Sequence, residues 1–171
     1  MGALEQLYQQ VILDHAKERH GHGLRPPAPG AVTAQSHMVN PLCGDEVTLR
    51  VALERTGDGV LVRDLAWVGE GCSISQASTS VLHDLVVGQS GQGADRLVEE
   101  FRSMVRSRGT DPGDEETLGD ATAFAGVGRH ANRVKCAMLG WTAFEDALHR
   151  AMTAPVLDDD DPDDDDEEKA R

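Results

Sequence analysis

The chain has 171 residues, 39% of them hydrophobic, and carries 30 acidic against 16 basic side chains for a formal charge of −14. That length supports one domain with its own core, built mainly from Leu, Val, Ile, Ala and Met because aromatics are only 4%. The charge excludes nucleic acid as a partner, since phosphate binding needs a basic surface to release counterions, and no apolar run is long enough to span a bilayer.

Residues 3 to 19 read as a helix. Leu4, Leu7, Tyr8, Val11 and Ile12 recur at helical spacing, with Glu5, Gln9, Gln10 and Lys17 on the other side. His20-Gly21 and then Pro26-Pro27 stop it. His15, His20 and His22 offer nitrogens to a metal, but the favoured reading is a solvated loop. Nothing at the N-terminus has the basic-then-apolar order of a signal peptide. We therefore expect a cytoplasmic protein whose thiols stay reduced.

Three antiparallel strands follow, at about 32–39, 46–54 and 60–68. The middle one is clearest, because Val47, Leu49, Val51 and Leu53 alternate with Thr48, Arg50, Ala52 and Glu54. Thr56-Gly57-Asp58-Gly59 supplies a tight turn through its Asp-Gly pair. The alternation slips between Val62 and Leu65, which calls for a bulge or an end effect. The connections are too short for parallel crossovers. Helices are expected after Cys72, over about 94–107 and over about 130–152. The first has Ser73 or Ser75 as cap, with Ser78 and Ser80 on its surface. The last carries Ala137, Trp141, Phe144 and Leu148 as an apolar stripe. A short turn at 117–125 should end at Gly126 and Gly128. The fold class is thus α+β, a small three-stranded antiparallel sheet flanked by helices, over residues 1–157. Residues 158–171 hold ten carboxylates and two basic groups, the composition of a disordered acidic tail.

The three cysteines are Cys43, Cys72 and Cys136. Cys43 lies between Pro41 and Gly44, with Asp45 two positions on, and Gly69-Glu70-Gly71 precedes Cys72. In a hairpin the start of one strand lies beside the end of the next, so Cys43 and Cys72 can meet at one rim of the sheet. Cys136, one position off the last helix's stripe, can point toward that rim. Three sulfurs and one carboxylate suit tetrahedral zinc or an iron–sulfur cluster. Magnesium and calcium are poor matches for thiolates. Arg133 and Lys135 are the candidates to offset the negative charge. His37 and His130 lie nearer this rim than the other histidines and read as structural. No compact finger spacing, phosphate loop, dinucleotide fingerprint or serine–histidine–carboxylate triad is present.

Three segments resemble the signatures of the U-type iron–sulfur assembly proteins. They are Asn40-Pro41-Leu42-Cys43-Gly44-Asp45, Gly71-Cys72-Ser73-Ile74-Ser75-Gln76-Ala77-Ser78 and Arg133-Val134-Lys135-Cys136-Ala137-Met138-Leu139-Gly140-Trp141. The likeness runs over roughly residues 3 to 152. Within the family the chain looks most like the SufU branch, through Lys135 immediately before the last cysteine and the long segment between Cys72 and Cys136. The resemblance implies an IscU/SufU-like fold and zinc held by Cys43, Asp45, Cys72 and Cys136. It implies a zinc-dependent sulfurtransferase whose partner is a SufS-type, pyridoxal-phosphate-dependent cysteine desulfurase. Cys43 would accept the persulfide sulfur while a histidine of the partner takes its place on zinc, and Arg133 would help hold the docked arrangement. Downstream iron–sulfur assembly proteins would receive the sulfur. The alternative within the family is a scaffold on which a cluster is assembled and transferred.

Overall fold

A computed structural model describes residues 2–154. The acidic segment 158–171 lies outside the described residues. The chain forms α1 (Ala3–Glu18), β1 (Val32–Asn40), β2 (Asp45–Thr56), β3 (Gly59–Glu70), α2 (Ser73–Val86), α3 (Gly91–Arg106), α4 (Glu115–Leu118), a 3-10 segment Gly119–Arg129 and α5 (Ala131–Thr153). The sheet is antiparallel with strand order β1-β2-β3. This is the expected α+β architecture.

Alternation decides the register. Leu49 faces Ser36 and Trp67, and Val51 faces Ala34 and Leu65. Val47, Leu49, Val51 and Leu53 are all buried, so a slip of one residue would turn this row to solvent. Between Ala52 and Leu53 the pairing jumps from Asp64 to Val62, leaving Arg63 as the extra residue. This is the bulge that the broken alternation predicted. The β2–β3 loop is Gly57-Asp58, one position earlier than the Asp-Gly pair suggested, because Gly59 pairs with Thr56 across the hairpin.

The buried face of the sheet meets α5, which packs on β1, β2 and α2. Phe101 of α3 stacks on Trp141 of α5, with ring centroids 4.0 Å apart and planes 6° from parallel. The long segment after Cys72 therefore contributes core. Gly140 allows α5 to approach α2 closely, since a Cβ there would stand 2.4 Å from Thr79 Oγ1.

Four sequence expectations fail for physical reasons. Ser75, Ser78 and Ser80 are buried, not on the helix surface, because each finds a partner inside. Ser78 Oγ donates to Ala137 O at 2.6 Å and accepts from Trp141 Nε1 at 2.9 Å. The N-cap of α2 is Cys72 itself, with no side-chain cap bond, so neither Ser73 nor Ser75 fills that role. The 3-10 segment runs through Gly126 and Gly128 to Arg129 instead of ending at them. Leu4 and Leu7 are 59% and 58% exposed, because only the later turns of α1 bury side chains against the body.

The Ser78–Trp141 bond gives a first expected result. Ser78→Ala leaves the buried Trp141 N–H without its acceptor, which costs about 1–3 kcal/mol. Urea denaturation should show a lower midpoint with an unchanged slope. Among the described residues no helix is long and apolar enough to cross a membrane.

Candidate metal centre

Asp45 is the hub of the site. It opens β2 directly after the four-residue loop 41–44, and it pairs with Asn40 across the hairpin. Its neighbour Glu46 pairs with Glu70 at the end of β3, which brings Cys72 to the same rim. Asp45 is 2% exposed. Its Oδ2 accepts from Cys43 Sγ at 3.1 Å and from Cys72 Sγ at 3.6 Å. Its Oδ1 accepts from the Cys72 backbone N–H at 3.1 Å. Cys136 enters from the first turns of α5, with its Sγ 3.5 Å from Cys43 Sγ.

One ligand-type atom from each of Cys43, Asp45 and Cys136 lies within 4.8 Å of the others. Cys72 touches Asp45 but stands outside that tightest group. Cys43 and Cys72 are exposed, and Cys136 is buried. Burial pushes the Asp45 carboxyl up. Hydrogen bonds from Cys136, from Cys43 and from the Cys72 amide and thiol outweigh it, so its pKa falls below the usual carboxylate range. The Cys136 thiol moves far the other way, through burial first and then its bonds to Asp45 and Cys43. Without metal the centre therefore holds an ionised Asp45 carboxylate beside a neutral Cys136 thiol.

Arg133 and Lys135 lie on the exposed face of α5 just before Cys136. Arg133 stands one helical turn from that cysteine, on the same side. Among the described residues no side-chain partner of Arg133 is found. His37 bonds Thr48 Oγ1 at 2.8 Å, and His130 is the exposed N-cap of α5. Neither belongs to the thiol cluster. His15 is not in a solvated loop: it is buried in α1 and bonded to Ser80 Oγ at 2.8 Å. His22 packs edge-on against Trp67 instead of joining the other two histidines.

Residue-by-residue reading missed three contributors. Asn40 is buried, accepts from the Leu42 N–H at 3.2 Å and places Nδ2 4.0 Å from Cys136 Sγ. It holds the Cys43 loop and touches a second sulfur. Ser75 donates to Cys72 O at 3.0 Å and lies 4.0 Å from Cys72 Sγ. Gly71 is the third: a Cβ there would sit 2.4 Å from Ser75 Oγ and 2.7 Å from Asp45 Oδ1. The signal for Gly71 was present as the Gly-x-Gly pair before Cys72. Gly71→Ala should displace the Asp45 carboxylate and weaken the site's affinity for an added divalent ion, with zinc as the probe, at least about tenfold, or about 1.4 kcal/mol, in a competition titration with a chromophoric chelator.

Residues 7–149 match the family described as NifU-like N terminal domain. The chain belongs to this family. It is 36% identical over 159 residues to "Iron-sulfur cluster assembly scaffold protein IscU" of Streptococcus pyogenes serotype M1, covering 93% of each chain. It is 37% identical over 142 residues to "Zinc-dependent sulfurtransferase SufU" of Bacillus subtilis (strain 168), covering 83% of this chain and 89% of that one. The crystal structure of a nitrogen-fixing NifU-like protein (N-terminal) from Brucella abortus superposes with a TM-score of 0.67 at 25% identity, covering 88% of this chain and 97% of that one. Relatives named for scaffolding and for sulfur transfer thus stand at nearly equal identity. The family is U-type, and identity alone does not choose between its branches.

Proposed function

We propose that this protein is a zinc-dependent sulfurtransferase of the cytoplasm. In this reading it accepts persulfide sulfur from a SufS-type cysteine desulfurase and passes it to downstream iron–sulfur assembly proteins. The observation that carries the proposal is the convergence of the Cys43, Cys72 and Cys136 side chains on the buried Asp45 carboxylate.

The donor set fits zinc. A tetrahedral ion with bonds of about 2.3 Å to sulfur and about 2.0 Å to oxygen spaces its sulfurs about 3.8 Å apart and sulfur from oxygen about 3.5 Å. The separations here are 3.5 Å between Cys43 and Cys136 and 3.1 and 3.6 Å from sulfur to Asp45 Oδ2. Cys72 stands outside the group whose ligand atoms all lie within 4.8 Å of one another, so its thiol would close in on the ion. Cys43, Asp45, Cys72 and Cys136 would be the ligands. Zinc bound by them would hold the sulfurs as thiolates at neutral pH. Three thiolates and a carboxylate leave excess negative charge, which Arg133 and Lys135 would offset from α5.

Cys43 has the acceptor's position. It is exposed on a hairpin loop, and Gly44 beside it has φ 72°, a conformation that side-chain-bearing residues resist. Its thiolate attacks the outer sulfur of the desulfurase persulfide. The new S–S bond forms on Cys43 as the old one breaks, and the desulfurase cysteine leaves as a thiolate. Leu42, 67% exposed, gives the loop an apolar flank for docking. Arg133 presents an unengaged guanidinium beside the same rim. The sulfurtransferase reading, rather than scaffolding, is supported by Lys135 and by the long segment before Cys136, the features in which the chain resembles SufU.

Native mass spectrometry before and after incubation with desulfurase and cysteine tests the proposal. Zinc held at the thiol centre, and one added sulfur after incubation, is the expected result. No gain of sulfur from a metal-loaded chain would overturn it. The scaffold reading draws on the relatives named as scaffolds, and iron or a cluster would then be cargo on the same residues. It predicts a transferable chromophore after anaerobic reconstitution with iron and sulfide.

A further inference from the structure

The far end of α2 carries ligand-type side chains that sulfur chemistry does not use. A ring nitrogen of His15, a ring nitrogen of His20 and a carboxylate oxygen of Asp84 lie within 4.8 Å of one another. They come from three pieces of chain: α1, the residues just after it, and α2. Asp84 lies about 18 Å along the helix from Cys72, at 1.5 Å per residue, so this cluster is separate from the thiol centre.

Both rings are backed by carboxylates outside the group. His15 Nε2 meets Asp120 Oδ2 at 3.0 Å, and His20 Nε2 meets Glu18 Oε2 at 2.8 Å. The Nδ1 of His15 meets Ser80 Oγ at 2.8 Å, and the Nδ1 of His20 meets Asp84 Oδ2 at 2.6 Å. An imidazole whose outer N–H is donated to a carboxylate has its tautomer fixed, its other nitrogen basic and its ring oriented. Metal-ligating histidines are held in this way. The 94%-buried His15 ring packs edge-on against His20, at 5.0 Å between centroids. This brings nitrogens of both rings and a carboxylate oxygen of Asp84 within reach of one ion.

We propose that His15, His20 and Asp84 form a second binding site, for a borderline divalent cation such as zinc, cobalt or nickel, that fastens α1 to α2. Two imidazoles and one carboxylate suit these ions, whereas magnesium and calcium prefer all-oxygen sites. Asp84 and His20 are 43% and 37% exposed in their side chains, so an ion has a path in from solvent. The site is independent of the sulfur-transfer reading.

Titrating the tag-free, chelator-stripped chain with cobalt(II) tests it. Cobalt at the thiol centre gives intense sulfur-to-metal charge transfer in the near ultraviolet. Cobalt at His15, His20 and Asp84 gives only weak visible bands, so the two centres are read separately. The expected result is two equivalents per chain by calorimetry. His20→Gln and Asp84→Asn should each weaken the equivalent without charge transfer at least tenfold and leave the other unchanged. Both side chains are partly exposed, and circular dichroism checks each fold. A single equivalent in the wild-type chain, or a second that survives both substitutions, would overturn the proposal. Loss of the charge-transfer band alone would count against the thiol centre only.

Discussion

Cys43→Ala is expected to abolish the proposed sulfur uptake from a SufS-type desulfurase and to leave the far-ultraviolet circular dichroism unchanged. The three thiols differ in what they are free to do. Cys136 is buried against Asp45 and Asn40. Cys72 is exposed, yet it is the N-cap of α2 and its backbone N–H is fixed to Asp45 Oδ1 at 3.1 Å. Only Cys43 combines exposure with a position inside a loop, held at its ends by Asn40 and Asp45. Alanine there removes a thiol that also bonds Asp45 and would bind the metal, so zinc content is measured beside uptake. Loss of uptake by a chain that still holds zinc through Asp45, Cys72 and Cys136 is loss of the nucleophile. The measurement is the mass gained per chain after incubation with desulfurase and cysteine. Uptake by the alanine variant at the wild-type rate would remove Cys43 from the acceptor role.

The sheet was legible because a period of two leaves little freedom. Val47 to Leu53 named the buried face, and the slip after Val62 located the bulge that the structure has at Arg63. Cys43 and Cys72 could be brought to one rim by hairpin geometry alone, and the Glu46–Glu70 pair bears this out. Buried polar side chains were not legible. Ser78 and Ser80 look like a helix surface until Trp141 and His15 arrive from elsewhere in the chain. Leu4 and Leu7 fit a helical stripe, but periodicity says which residues share a face and not what covers it. The histidines failed for a similar reason. Sequence proximity grouped His22 with His15 and His20, whereas folding substitutes Asp84 from α2.

Asp45→Asn separates the two tasks of the hub carboxylate. Asparagine keeps the shape but not the charge. Under the zinc reading, affinity for the ion should fall on the order of 10²–10³-fold, roughly 3–4 kcal/mol, because a neutral amide oxygen is a much weaker donor to zinc than a carboxylate. The same substitution should change the acid stability of the metal-free protein. The Asp45 pKa is lower folded than unfolded, because thiol and amide donors outweigh burial. Such a group contributes stability above its unfolded pKa of about 3.9, and that stability is lost as pH falls through the folded value. Asp84 and Asp146 are depressed as well, so the wild-type protein should lose stability in this acid window from several groups. The asparagine variant should start less stable at neutral pH and lose less on acidification. Urea midpoints at neutral pH and at about pH 3, with a chelator present, measure the difference. If both proteins lose the same stability between these conditions, the donors around Asp45 do not favour its ionised form, and the carboxylate is not the acceptor on which the three thiols converge.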